Sequence, residues 1–165
     1  MNHIFYTINK TPTGYILVAA TSKGICCVSL GDNKDKLIET FKKEFLQAQL
    51  GKKEKNLQVW SQALIDYLTQ EAPWPLLPYD VKATAFQRKV WEYLRSIPSG
   101  KTYNYKALAQ AIGNPKAARA VARACATNQV ALVIPCHRII PKAGGIGGFR
   151  WHPKRKKYLL ALENK

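Results

Sequence analysis

Acidic side chains all but vanish from the second half of the chain. Residues 82–165 hold only Glu92 and Glu163 against seventeen lysines and arginines, while residues 1–81 hold eight acids against nine bases. Of the net charge of +16, one half therefore carries +15 and the other +1. A solvated basic face accounts for a modest excess; a split this lopsided favours a polyanionic partner. Charge alone leaves DNA, RNA and an anionic membrane open. Long apolar runs are missing too, so no segment is expected to span a bilayer. The opening stretch "MNHIFYTINKTPTGYILVAA" alternates like a strand, without the basic flank and apolar core of a secretory signal. The C-terminal Lys/Arg run lacks an apolar face with aromatic anchors, which argues against a membrane-surface role. A soluble cytoplasmic protein without a membrane partner is expected. Cysteines are few: Cys26, Cys27, Cys125 and Cys136. None has the spacing of a zinc-binding pair. The only alternative set, His3 with Cys26 and Cys27, is a weak one, so no metal is expected. In a reducing compartment these are free thiols, and the question is which of them reacts.

Apolar residues make up 47% of the chain, enough for a globular core. "HIFYTI", "GYILVAA" and "GICCVSL" read as three short strands separated by turn residues. Helical patterns follow over residues 34–47 and 57–70; in the second, Leu57, Trp60, Leu64 and Leu68 share a face. The residues between them, "LGKKEKN", read as a charged loop. "EAPWPLLPYD" then interrupts all periodicity with three prolines and reads as a surface linker. It coincides with the switch in charge, which places a domain boundary near residue 79. Beyond it, Thr84 suits an N-cap for a helix over 85–96. A shorter helix is expected over 105–112, stopping at Gly113. Asn114 and Pro115 suit the cap and first turn of the next, which runs to about residue 126. A last helix begins near Pro153. The expected fold is α+β: an N-terminal domain (1–79) with a three-stranded antiparallel sheet and helices, and a mostly helical C-terminal domain (80–165).

Two features of the basic half carry chemistry. The first is "YKALAQAIGNPKAARAVARACATN", a helix, tight turn and helix with the outline of a helix-turn-helix. Alanines keep its second helix thin, and Lys116, Arg119 and Arg123 supply its charges. A helix that reads bases presents Asn, Gln or several Arg. This one presents methyl groups, which predicts phosphate-driven DNA binding with little sequence preference. The second is "ALVIPCHR", an apolar run that delivers a thiol, an imidazole and a guanidinium in a row. A buried cysteine is usually a small hydrophobe, and that reading suits Cys125. Cys136 differs, with His137 adjacent and Pro135 before it. A neighbouring base or cation raises the thiolate fraction of a free thiol. Glu163 is either an exposed residue at a helix end or the carboxylate that orients His137. "GGIGGF" reads equally as a flexible loop or as the wall of a pocket.

Together these residues resemble the O6-alkylguanine-DNA alkyltransferase family. The likeness is carried by "TAFQRKVWEYLRSIPSGKTYNYKALAQAIGNPKAARAVARACATN", then "IPCHRII", "GGFRW" and the closing "LLALE", in uninterrupted order across residues 82–163. The N-terminal half resembles the family's smaller domain only loosely. The resemblance implies a partner, double-stranded DNA carrying alkylated guanine, flipped out of the stack. Cys136 would take the alkyl group irreversibly, once per molecule, from the O6 of guanine; whether O4-alkylthymine is also a substrate is left open. His137 would act as base through a water, Glu163 would orient it, and Asn128 would hold the segment. Arg119 would fill the gap left by the base, and Tyr105 would contact the base. The carbonyls of Cys136 and Ile139 would accept from the guanine amino group. The amide at Arg150 would donate to O6, with Phe149 lining the pocket. Phe86, Lys106, Asn114 and Lys142 would lie near phosphates, and Arg123 would add another such contact. The resemblance implies a monomer without a cofactor. Two rival classes are a lesion-sensing DNA-binding protein without chemistry, against which Cys136 itself argues, and a cysteine hydrolase, which would turn over.

Overall fold

A computed structural model describes residues 3–165 and divides the chain into two compact units. The first comprises the described residues up to Val81 together with Gln129–Val133; the second comprises Lys82–Asn128 and Ile134–Lys165.

The first unit is built on a sheet of order β3-β2-β1-β4. Strands β1 (Phe5–Thr11), β2 (Gly14–Ala20) and β3 (Ile25–Gly31) are antiparallel neighbours. The central β2 buries Ile16, Leu17, Val18 and Ala19 in succession, the pattern of a strand covered on both faces. On one face Leu17 and Ala19 form a core cluster with Tyr6, Cys26 and Phe41, the last from helix α1 (Lys34–Glu44). Helix α2 (Lys55–Leu68) packs on β1 and β2. The expected strands are present. Where the charged loop begins, however, lies β4 (Gln49–Leu50), parallel to β1. Two exposed residues carry no periodic signal, so only the path of the chain reveals it. Helix α1 also ends three residues early, at Glu44.

The open edge of β3 is covered twice, by segments that read as linker and as second-domain core. Residues 78–80 of the Pro-rich stretch bond to it: Ile25 N–H donates to Pro78 O (2.9 Å) and Asp80 N–H to Ile25 O (2.8 Å). Gly24 is required there, since a Cβ would stand 2.9 Å from the Tyr79 backbone. Further along, Val28 N–H donates to Gln129 O (3.0 Å) and Ala131 N–H to Val28 O (3.2 Å). The Trp74 indole N–H donates to Leu132 O at 2.7 Å. Gln129–Val133 therefore belongs to the first unit, against the expectation that all of 80–165 forms one domain. The reason is an unpaired strand edge, whose backbone groups need partners.

In the second unit, α3 (Ala85–Ser96) begins at Thr84 with a reciprocal capping box to Gln87. Helix α4 (Tyr105–Ala111) is capped by Asn104, whose side chain accepts from Ala107 N–H at 2.7 Å. Helix α5 (Ala118–Ala126) packs on α3 and α4, and the buried Trp91 of α3 donates to Ala124 O at 2.9 Å. Asn114 and Pro115 do not start α5, as the sequence suggests. They form a turn closed by Ala117 N–H on Asn114 O (3.0 Å), and the helix begins only at Ala118, without a side-chain cap. A single 3₁₀ turn, Cys136–Arg138, leads into β6 (Ile139–Ile140), which pairs in parallel with β5 (Tyr103–Asn104). Helix α6 (Pro153–Glu163) ends the fold; His152, at φ 85°, accepts from Lys154 N–H at 3.1 Å to cap it. The architecture is α+β, as expected.

Candidate active site

The apolar run ends at Pro135, and the 3₁₀ turn after it sets Cys136, His137 and Arg138 side by side, all buried. Pairing of β6 with β5 fixes what stands next to the turn. Tyr103 lies opposite Ile139 and Asn104 opposite Ile140. Because Asn104 caps α4, its first residue Tyr105 is brought to the same place. There the second unit has a cavity of about 340 Å3. Cys136 and Ile139 line it from the turn, Tyr105 from α4, and Gly148, Phe149 and Arg150 from the glycine-rich segment. Helix α5 contributes Ala122, Cys125 and Ala126, small residues that leave the space open. A larger cavity, of about 590 Å3, lies in the first unit around the start of α2 and includes none of these residues.

Each polar group around the thiol has a partner that positions it. Asn128 is fully buried; its Nδ2 donates to Ile134 O at 3.0 Å and to Cys136 Sγ at 3.3 Å. Its own carbonyl accepts from Arg150 Nη1 at 2.8 Å. His137 Nε2 lies 3.0 Å from Glu163 Oε1. Nδ1 has no protein hydrogen-bond partner among the described residues. The Glu163 side chain is 2% exposed, so it is not a solvated residue at a helix end. The wall is tethered as well. Phe149 meets Trp151 edge-on with ring centroids 5.2 Å apart, and the Arg150 guanidinium lies 5.5 Å from the Trp151 ring. The segment "GGIGGF" is thus pocket wall, with positive φ at Gly144, Gly145 and Gly147.

Burial dominates the electrostatics. It pushes the Cys136 thiol above its ordinary range, against the opposing pull of the Asn128 hydrogen bond and of Lys156 and Arg150. It pushes His137 below its ordinary value, although Glu163 pulls the other way. Tyr105 is raised, by burial and then by the charge that Cys125 and Cys136 would carry. The resting site therefore holds a neutral thiol, a neutral imidazole and a neutral phenol. Cation activation of a standing thiolate, which the sequence suggests, is outweighed by desolvation. The thiol must lose its proton during the reaction, and a neutral imidazole is able to accept it.

Most of the expected DNA-contacting residues are solvent-facing. Lys106, Asn114, Lys116, Arg119, Arg123 and Lys142 are exposed, and Phe86 is half-buried at the start of α3. Arg119 shares a face of α5 with Ala122 and Ala126, three and seven residues on, which line the cavity. Two further residues join the site, neither of them conspicuous in the sequence. Lys156 is 1% exposed, and its Nζ donates to Gly148 O at 3.2 Å, tying α6 to the wall. Its place within "PKRKK" made it look like surface charge; its seven-residue spacing from Glu163 was the available signal. Cys125, read as a core hydrophobe, also faces the cavity. Its thiol is raised by burial, out of reach of ordinary titration.

Known proteins match the two halves of the chain separately. Residues 85–165 match the model for the DNA binding domain of 6-O-methylguanine DNA methyltransferase, and residues 4–76 match its ribonuclease-like domain. The bifunctional transcriptional activator/DNA repair enzyme Ada of Escherichia coli K12 is 42% identical over 158 residues, which cover 96% of this chain and 45% of that protein. The chain thus spans about half the length of that relative. The constitutive methylated-DNA–protein-cysteine methyltransferase of Bacillus subtilis is 34% identical over 160 residues, 96% of this chain and 94% of its own. Among solved structures, the Mycobacterium tuberculosis protein OGT in complex with DNA is 28% identical with a TM-score of 0.80, covering 97% of this chain and 92% of that one.

Proposed function

The chain belongs to the 6-O-methylguanine DNA methyltransferase family, and from that premise we propose that it repairs O6-alkylated guanine in duplex DNA by moving the alkyl group to its own Cys136. The observation that carries the proposal is the cavity itself. Its floor is a thiol held by Asn128 at 3.3 Å, and behind that thiol a histidine lies 3.0 Å from a buried carboxylate.

The reaction is a displacement at carbon. The flipped base enters the cavity, whose apolar lining replaces the stacking it has lost. As the Sγ–C bond forms, the bond from carbon to O6 breaks. The thiol proton passes through a bound water to His137 Nδ1, the ring atom without a protein partner. Glu163 stabilises the imidazolium that forms. The departing purine takes up a proton from the water pool, to which His137 later returns the one it accepted; Tyr105, kept protonated by burial, would donate a hydrogen bond to the base. The backbone amide of Arg150 donates to O6, and the carbonyls of Cys136 and Ile139 accept from the amino group. A thioether has no leaving group that water displaces, so each molecule acts once. Neither a cofactor nor a metal takes part, and the protein acts as a monomer in the cytoplasm.

DNA is gripped by the basic half. Arg119, beside the cavity-lining alanines of α5, enters the space that the base vacates. Phosphate contacts fall to Lys106, Asn114, Lys116, Arg123, Lys142 and the start of α3 at Phe86. The logarithm of the association constant is expected to fall linearly with log salt, by about 0.9 per phosphate neutralised. A flat response in a fluorescence titration would remove DNA as the partner. Arg119→Ala is expected to slow repair about tenfold or more while weakening binding only a few-fold, since one exposed phosphate-range contact is worth little and the flipped state depends on it. Single-turnover rates beside Kd values decide the point; equal losses in both would refute the gap-filling role.

The whole reading is tested by incubating the protein with a duplex carrying one O6-methylguanine and measuring intact mass. One methyl group per protein, mapped to the Cys136 peptide, is expected. An unmodified protein that still binds the duplex would overturn the reading in favour of lesion sensing.

A further inference from the structure

The guanidinium of Arg138 has no part in the reaction as set out above, yet it is fully buried and joined to four acceptors. Nε donates to Glu163 Oε1 at 3.0 Å and Nη2 to Glu163 Oε2 at 2.7 Å. Nη2 also donates to Ser99 Oγ at 2.9 Å, and Nη1 to Ile97 O at 2.6 Å. The carboxylate that faces His137 is thus already the two-point partner of a permanent cation. Oε1 is shared: Arg138 Nε and His137 Nε2 both lie 3.0 Å from it.

A buried Glu–His pair on its own relieves its electrostatic cost by becoming an ion pair, carboxylate with imidazolium. That outcome would disable this site. An imidazolium has no lone pair left for the thiol proton. Here the carboxylate charge is matched before the imidazole is counted, so a resting imidazolium would leave the trio with a net buried positive charge. We propose that Arg138 is a positioning residue for the transfer reaction: by holding Glu163 as a charge-balanced carboxylate, it keeps His137 a neutral base until the thiol gives up its proton. This inference rests on the reading of Cys136 and His137 given above.

The surroundings of His137 agree in sign. From α6 it faces Glu163, which raises its pKa, and Lys156, which lowers it. From its own turn Arg138 lowers it, while burial acts most strongly and in the same direction. On the α3 side, Ile97 and Ser99 reach Arg138, and Arg95 is paired with Glu92 at 3.2 Å. Removing the Arg138 charge takes away a lowering influence and leaves Glu163 uncompensated, so the imidazole pKa must rise. The acid limb of the transfer rate, where His137 becomes protonated, must rise with it.

The test has two parts. The first is an NMR titration of the His137 ring in the wild-type protein without DNA, where the ring is expected to stay neutral down to below about pH 6.5, its ordinary midpoint. The second is the single-turnover transfer rate against pH for Arg138→Met and Arg138→Lys. In Arg138→Met the acid limb is expected to move up by about one unit or more, the scale of a lost charge at this range. Arg138→Lys keeps the charge and loses the two-point grip; its limb stays in place while the rate drops at every pH. A purely structural arginine would lower rates in both variants and move neither limb, and that result would overturn the proposal. So would a wild-type His137 that is charged at pH 7, a finding that needs no variant to fold. If Arg138→Met does not fold, an upward-shifted limb in Arg138→Lys would also overturn it. Failure of the alkyl-transfer reading would appear differently, as no adduct on Cys136 at any pH, because the ring titration is read without DNA.

Discussion

Cys136→Ser is expected to bind duplex DNA with wild-type affinity and to take up no alkyl group. The substitution keeps the shape of the side chain but buries a hydroxyl, a cost limited by the hydrogen bond that Asn128 offers it. Asn128 Nδ2, which lies 3.3 Å from Sγ, finds a hydroxyl oxygen in its place. The basic residues assigned to phosphates are on other elements and stay as they were. What disappears is chemistry. Cys136 is already held protonated by burial, and His137 is a weakened base for the same reason. A serine hydroxyl is far harder to deprotonate than a thiol, so this imidazole cannot make it a nucleophile on the time scale of repair. Intact mass after incubation with an O6-methylguanine duplex is expected to show no added methyl group, beside an unchanged Kd. A persisting adduct would move the nucleophile elsewhere, and Cys125, the other thiol on the cavity, would be its first candidate.

What the sequence displayed of this site, and what it concealed, follows from the range of the interactions concerned. Helix α3 is legible from Thr84 onward because its start is set by a local device, the capping box with Gln87. The start of α5 departs from its expected place for a related reason. Asn114 and Pro115 satisfy every local rule for a helix opening, but the chain first spends them on a turn after α4, and the helix follows uncapped. The pairing of Cys136 with His137 and Glu163 was visible as chemistry, since acids are so rare in the second half that Glu163 stood out. The environment that sets their protonation was not visible. Desolvation depends on what covers a residue, and the cover comes from α3, α6 and the wall together. Lys156 was hidden in a run of like residues, though only one of them turns inward. Least legible was the route of Gln129–Val133. Its apolar residues announce burial, but nothing in their spacing tells which sheet edge receives them, and the answer lies about a hundred residues earlier at Val28.

That route gives Asn128 its importance, because it stands where the chain leaves the second unit and faces the residue at which it has returned. Three hydrogen bonds meet on its side chain and carbonyl: to Ile134 O, to Cys136 Sγ and from Arg150. Asn128→Leu removes the two donated bonds. The Ile134 carbonyl is left buried without its amide, a cost of about 1–3 kcal/mol in stability. The thiolate loses a stabilising donor, so the thiol pKa rises further. Each unit of that rise is about 1.4 kcal/mol, or roughly tenfold in the population of the reactive form. A fall in transfer rate of about tenfold to a hundredfold is expected. Asn128→Asp separates the two effects. Its shape is the same, but an ionised carboxylate donates nothing and stands some 3 Å from the atom that must become negative. It is therefore expected to be slower than Asn128→Leu, by a further factor of about ten, even where urea unfolding shows it to be no less stable. The rate of Cys136 alkylation by iodoacetamide against pH should show the thiol midpoint moving up in the order wild type, Leu, Asp. A transfer rate that tracks stability alone, with Asp and Leu interchangeable, would reduce Asn128 to a structural pin. The opposite order would mean that the aspartate is protonated in place and donates to sulfur as the amide did.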